Sequence, residues 1–277
     1  MAVAMGLWPV VEALASFLSR GYSPFEIVWV RYSTHLLLML LLWTPGGPWR
    51  LVRTGRPGLH ALRGLTMLGM PAFFVLGTMR MPVDTVMSVF WIAPLVAMLL
   101  ATLGLGERVG GRRWAATAIA CAGAVFVIGP SAMPRWSIVL PLAMAACFAL
   151  YQVLTRSMRD EATAARLFYT AFSVWLPLGL AAPWFWTTPT PRDLALMMAI
   201  GALGFLFLFA LDRALDAAPV TRVAPFALAQ PLWGVLVDAV VGRGQPTLGT
   251  VTGVVVVLVA WLALIWPLRS RSTPTLH

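Results

Sequence analysis

Residues 81–130 read MPVDTVMSVFWIAPLVAMLLATLGL (81–105), GERVGGRR (106–113) and WAATAIACAGAVFVIGP (114–130). Two apolar runs, each about as long as the roughly 20 residues a membrane crossing needs, flank a short basic turn. Sliding the chain 137 residues along itself brings the same skeleton back between Ala218 and Pro267. Pro82 falls on Pro219, Val83 on Val220, Val86 on Val223, Pro94 on Pro231, Leu95 on Leu232, Leu99 on Leu236 and Pro130 on Pro267. Gap-free identity over so long a register marks an internal duplication. Pro94 and Pro231 stand inside apolar helices, where the ring removes a backbone hydrogen bond and forces a kink, so the repeat preserves a shape as well as a composition.

The chain of 277 residues is 60% hydrophobic and 11% charged, with a mean hydropathy of +0.84. A soluble domain carries about one-quarter charged residues, so the bilayer is the expected solvent. At about 20 residues per crossing, short loops leave room for about ten crossings and no soluble domain. The net charge of +10 belongs to arginines alone, for lysine is absent. These cluster in loops, where anionic headgroups rather than nucleic acid face them. Cys121 and Cys147 lie inside apolar runs without metal-ligand spacing, which reads as packing.

Expected helices run over about 1–19, 24–43, 62–79, 83–103 and 113–129, then 137–156, 164–186, 194–211, 219–241 and 248–266. The Ala13-Leu14-Ala15 triplet imitates a cleavage site, but no positive charge precedes the apolar run, so the first helix is expected to be retained. Residues 1–130 form the first five-helix repeat, 131–136 a linker, 137–267 the second repeat and 268–277 a cytoplasmic tail. Five crossings are an odd number, which turns the second unit upside down and gives the inverted repeat of secondary transporters. The fold class is therefore all-α, with ten transmembrane helices around a central cavity. Segments 44–63, 106–113, 156–166, 213–222 and the tail hold fourteen arginines; the opposite loops hold Arg20, Arg80, Arg135, Arg192 and Arg243. Positive side chains stay in the cytoplasm, so both termini are expected there, in an inner membrane.

Trp8, Arg31, Pro94, the Leu105-Gly106-Glu107-Arg108 turn, Trp114, Ala224-Pro225-Phe226 and Pro231 together resemble the EamA-type pattern of the drug/metabolite transporter superfamily. The likeness spans nearly the whole chain. It implies ten helices in two inverted repeats, a cavity between the halves and export of metabolites or amino acids; the YddG-type aromatic amino-acid exporters are the nearest subgroup. One departure is that Gly242-Arg243-Gly244 replaces Leu-Gly-Glu in the second repeat, so a role for Glu107 does not transfer to both halves.

Glu107 in its turn reads as an ion pair or helix cap. Glu12 and Arg31 are different, because ionisable groups at membrane depth are costly and default to function. Each lies about seven residues from the loop between the first two helices, hence about 10 Å deep on the same side. They are expected to pair, either as a lock between helices or as a substrate or proton site. His35, four residues from Arg31, reads as a packed hydrogen-bonding residue or as a titrating one. The kinked helices carry Phe90 and Trp91 before Pro94, and Phe226, Gln230 and Trp233 around Pro231. Matching interrupted helices in two halves point to a binding site. Trp8, Glu12, Tyr151 and Gln152 complete the expected substrate-binding set; the plainer reading of each residue alone is core or lipid contact.

Ala116, Ala120 and Ala124, with Gly249 and Gly253, make small-residue ridges suited to close helix contact within the monomer or across a weak homodimer. No phosphate-binding loop with lysine, no histidine cluster and no carboxylate pair outside loops is evident, so neither cofactor, metal nor catalytic residue is expected. The function read from these features is secondary export of small amphipathic metabolites, aromatic amino acids or methionine foremost, by alternating access. Multidrug or other metabolite transport on the same fold, an intramembrane enzyme using Glu12 with His35, and a channel are the alternatives.

Overall fold

The structure, a computed structural model, describes residues 2–43, 49–128, 135–241 and 248–265, and every structural statement below concerns these. The second-repeat turn at 242–244, most of the 131–136 linker and the 268–277 tail lie outside the described residues.

The elements are α1 (Ala2–Leu18), α2 (Pro24–Trp43), α3 (Trp49–Val52), α4 (Pro57–Thr78), α5 (Val83–Phe90), α6 (Ala93–Leu105), α7 (Gly111–Ile128), α8 (Val139–Ser157), α9 (Thr163–Ala181), α10 (Pro191–Ala217), α11 (Val220–Val223), α12 (Ala229–Val241) and α13 (Leu248–Ile265). Seven helical segments have the length and hydropathy to cross a membrane, and Met5–Leu18 and Leu248–Ala263 are shorter apolar helices. Together they make a multi-pass membrane protein. In the core, α4 packs on α8 and α9, α10 packs on α1 and α2, α6 on α8, α1 on α12, and α7 on α13.

Local chemistry sets boundaries that differ from the expectation. Proline at the first helical position has its missing N–H where none is needed, so α4 starts at Pro57 and α10 at Pro191. Thr190 caps α10 by accepting from the Asp193 backbone N–H at 3.2 Å. α10 then runs past Leu211, the expected end, and carries Asp212 and Asp216 inside the helix. Those two acids correct the reading that carboxylates pair only in loops. Likewise Arg63, expected in a loop, sits in the second turn of α4, and Arg166 in the first turn of α9; both are completely buried.

The fourth expected helix is interrupted at Trp91 and Ile92, and resumes as α6 with Pro94 as its second residue. Its counterpart is interrupted by a 3₁₀ stretch, Ala224–Leu228, before α12, which contains Pro231. Gly106 ends α6 with φ +65°, a left-handed conformation that glycine adopts without strain. That reversal aims Glu107 across the molecule. The small residues of α7 face α13, where Ala120 and Ala124 are wholly buried and Gly123 lies against Val256 and Val257.

Candidate functional site

Two polar assemblies lie between the halves. The first uses residues that the sequence singled out, Trp8, Glu12, Arg31 and Gln230. Trp8 of α1 donates its indole N–H to Glu12 Oε1 at 2.7 Å, one helical turn away. Gln230 of α12 donates to the same oxygen at 3.4 Å. The Arg31 guanidinium of α2 stands 5.0 Å from the Trp8 ring centroid and 5.3 Å from that of Tyr32, both within cation–π range.

Among the described residues, no Glu12–Arg31 ion pair forms, which corrects the expectation. An indole occupies the space between the two charges, giving its N–H to one and its ring to the other. Gly204 of α10 makes room on the far side: a Cβ there would stand 2.6 Å from Arg31 Nε. Trp233 packs on Gly6 and remains 38% exposed, and Trp8 contacts Phe207 at 5.1 Å between centroids.

The remaining predicted residues divide. Phe90 and Trp91 are buried in core, Phe90 against Phe148 of α8, rather than open to a cavity. Phe226 meets Trp261 edge-on at 5.3 Å. Gln152 is buried with neither amide atom hydrogen-bonded among the described residues, so it retains two unmet polar groups. His35 is enclosed by Tyr32 and Phe205, and its Nε2 has no partner.

Tyr151 belongs to the second assembly, which sequence reasoning missed. Arg63 Nη2 lies 2.8 and 2.9 Å from the two oxygens of Asp212 and 2.6 Å from the Tyr151 hydroxyl. Its Nη1 donates to the Arg166 carbonyl and Thr170 Oγ1, both at 2.6 Å, and its Nε to Thr155 Oγ1 at 2.8 Å. Arg166 grips both oxygens of Asp216 at 2.7 Å and brings its Nε within 3.6 Å of Asp212. Two arginines thus meet two aspartates, with the guanidinium donors of Arg63 on oxygen acceptors, as buried charges require. The available signal was the spacing Asp212-x-x-x-Asp216 in an apolar helix, four residues apart and therefore on one face.

At the same end, Glu107 accepts from the backbone N–H groups of Val220 and Thr221 at 3.0 and 2.9 Å. It caps a helix, as read from its turn, but the helix is α11 of the other half. Gly55 N–H and Glu161 Oε1 add a further link at 3.1 Å. At the opposite end Tyr22 donates to Asp193 at 2.8 Å and the Thr187 backbone to Glu26 at 3.2 Å.

The EamA-like transporter family model matches residues 1–129. The first part of the chain, slightly less than half of it, thus matches the EamA-like transporter family. Curated relatives of this EamA-like protein include the S-adenosylmethionine uptake transporters of Rickettsia bellii, 26% identical over 92% of this chain and 88% of the relative, and of Rickettsia prowazekii, 26% identical over 96% and 90%. The riboflavin transporter of Rhizobium johnstonii is 33% identical over 63% of this chain and 59% of its own. A solved crystal structure superposes with a TM-score of 0.83 over 95% of this chain and 93% of that one at 17% identity, a likeness of fold alone. The EamA-like chain is a membrane transporter of small molecules and not an enzyme, which removes the intramembrane-enzyme alternative. The relatives named here are uptake and riboflavin transporters rather than aromatic amino-acid exporters.

Proposed function

We propose that this transporter moves a small amphipathic metabolite bearing an α-amino-acid group and a flat or soft side chain, by alternating access. The carrying observation is the arrangement of Glu12, Trp8 and Arg31: a carboxylate and a guanidinium that each contact one indole, which holds them apart. A zwitterion needs complementary charges for its ammonium and carboxylate and an apolar face for its side chain. Glu12, Arg31 and Trp8 with Trp233 are of those types, and Gln230 and Gln152 supply neutral hydrogen bonds. Aromatic amino acids and methionine fit, moving outward. S-adenosylmethionine also carries an amino-acid end and a flat heteroaromatic ring, so the uptake transporters named for it support this class, while the riboflavin transporters support only its flat ring.

Alternating access needs two halves that rock against each other. Element positions recur at the sequence offset of 137: α7 and α13 coincide at both ends, and α1, α2, α4 and α6 fall within a few residues of α8, α9, α10 and α12. The packing exchanges in the same way, α4 on α8 and α9 being answered by α10 on α1 and α2. This supports ten crossings in two inverted repeats split at 1–130 and 137–267, kinked near Pro94 and Pro231. In this reading the Arg63–Asp212–Arg166–Asp216 assembly is the closed gate on the side of both termini, which loop arginines assign to the cytoplasm of an inner membrane.

The test is uptake of labelled tryptophan, methionine, S-adenosylmethionine and riboflavin into proteoliposomes by the parent, Trp8→Ala and Gln230→Ala. Transport of tryptophan, methionine or S-adenosylmethionine, with KM raised in both variants, supports the reading, and transport of riboflavin alone overturns its amino-acid part. Transport of none, or unchanged KM in both variants, overturns it.

A further inference from the structure

A cavity of about 130 Å³ opens where the first turn of α7 meets α11, lined by Arg113, Arg222, Pro225 and Phe226. Arg113 comes from one half of the chain and the other three residues from the second. Neither arginine forms an ion pair within 4 Å among the described residues. The nearby acid in sequence, Glu107, holds the Val220 and Thr221 backbone N–H groups instead. Arg112 next to Arg113 reaches the Ala263 carbonyl at 2.6 Å, so it is Arg113 alone of that pair that lines the cavity.

Arg113 in the first turn of the 18-residue α7 and Arg222 in the short α11 face one cavity without a carboxylate partner among the described residues and make a local positive potential, to which the N-terminus of α7 adds its own partial charge. Their planar forks match the oxygens of a tetrahedral oxyanion. The volume takes one such group with a few waters. Pro225 and Phe226 form an apolar wall for the carbon side of an ester, and Phe226 is braced edge-on by Trp261. The cavity lies at the end of the helices, where basic pockets between crossing helices meet lipid phosphates.

We propose that Arg113 and Arg222 form a binding site for a phosphate group, carried by an anionic lipid headgroup or by a free phosphate ester, and distinct from the Trp8–Glu12–Arg31 site. Because it bridges α7 and α11, its ligand ties the two halves together at the Glu107 end.

The experiment reads unfolding temperature, not transport, so its failure leaves the transport reading standing and the converse holds. The full chain is melted in phosphatidylcholine nanodiscs with increasing phosphatidylglycerol, and in detergent with inorganic phosphate against chloride at equal ionic strength. Arg113→Gln, Arg222→Gln, the double variant and Arg192→Gln are compared with the parent. Each site arginine lost should raise the half-saturating phosphatidylglycerol or phosphate about fivefold, while Arg192→Gln, exposed at the opposite end, should not. Arg222→Lys, which keeps the charge, should recover most of the response and guards against a folding defect. Stabilisation by phosphatidylglycerol alone assigns a lipid headgroup; equal stabilisation by inorganic phosphate assigns a free phosphate ester. A parent indifferent to both, or a double variant that responds like the parent, overturns the proposal.

Discussion

Arg63 of α4 and Asp212 of α10, 149 residues apart, form an ion pair in which one guanidinium nitrogen reaches both carboxylate oxygens, with both partners almost wholly buried. Taking one charge away leaves the other without water, at a cost of about 3–5 kcal/mol, whereas replacing both with apolar groups of similar size is much milder. Arg63→Met and Asp212→Leu should each lower the unfolding temperature sharply in detergent. The double variant should melt closer to the parent than either single one. Additive losses would show that the pair does not act as a unit.

Trp8 joins Glu12 and Arg31 without their touching. Trp8→Phe keeps an aromatic face for the guanidinium and loses the N–H to the carboxylate, a hydrogen bond to a charged group worth about 1.5 kcal/mol or more. KM for the transported substrate should rise roughly tenfold. Trp8→Leu should do more, since the cation–π contact goes as well. Equal KM in Trp8→Phe and parent would separate Trp8 from the site.

Gly204 tests the position of Arg31. A valine there has to displace the guanidinium or push α10 from α2, at about 1–3 kcal/mol of overpacking. Gly204→Val should lose transport while Gly234→Val, whose Cβ would meet nothing within 4 Å, keeps it.

Glu107 holds two N–H groups that begin α11. Glu107→Gln retains one acceptor and should cost less than Glu107→Ala, which leaves both donors unmet and costs about 2 kcal/mol. Melting temperatures of the two variants check the order. If they match the parent, the link is dispensable.

Orientation is checked by single cysteines in a chain lacking Cys121 and Cys147. Gly21 and Gly58 both have open space around the Cβ position. From outside intact cells, an impermeant thiol reagent should label Gly21→Cys and not Gly58→Cys. The reverse pattern inverts the topology.

Composition, run length and the 137-residue repeat were enough to read a multi-pass all-helical membrane protein, because the bilayer demands long apolar segments whose backbone is satisfied internally. The interruptions before Pro94 and around Pro231 were legible for the same kind of reason: proline acts on its own helix. Glu12 and Arg31 stood out in the sequence as ionisable groups in apolar runs, and Gln230 as a polar group beside a helix-interior proline. That an indole would separate the two charges was not legible, since equal depth says nothing about the angle at which side chains leave two helices. Arg63, Arg166, Asp212 and Asp216 were hidden by their nearness to helix ends, where arginine and aspartate ordinarily meet water. Only the packing of α4, α8, α9 and α10 takes that water away, and with it decides that four apparent loop charges form one buried assembly.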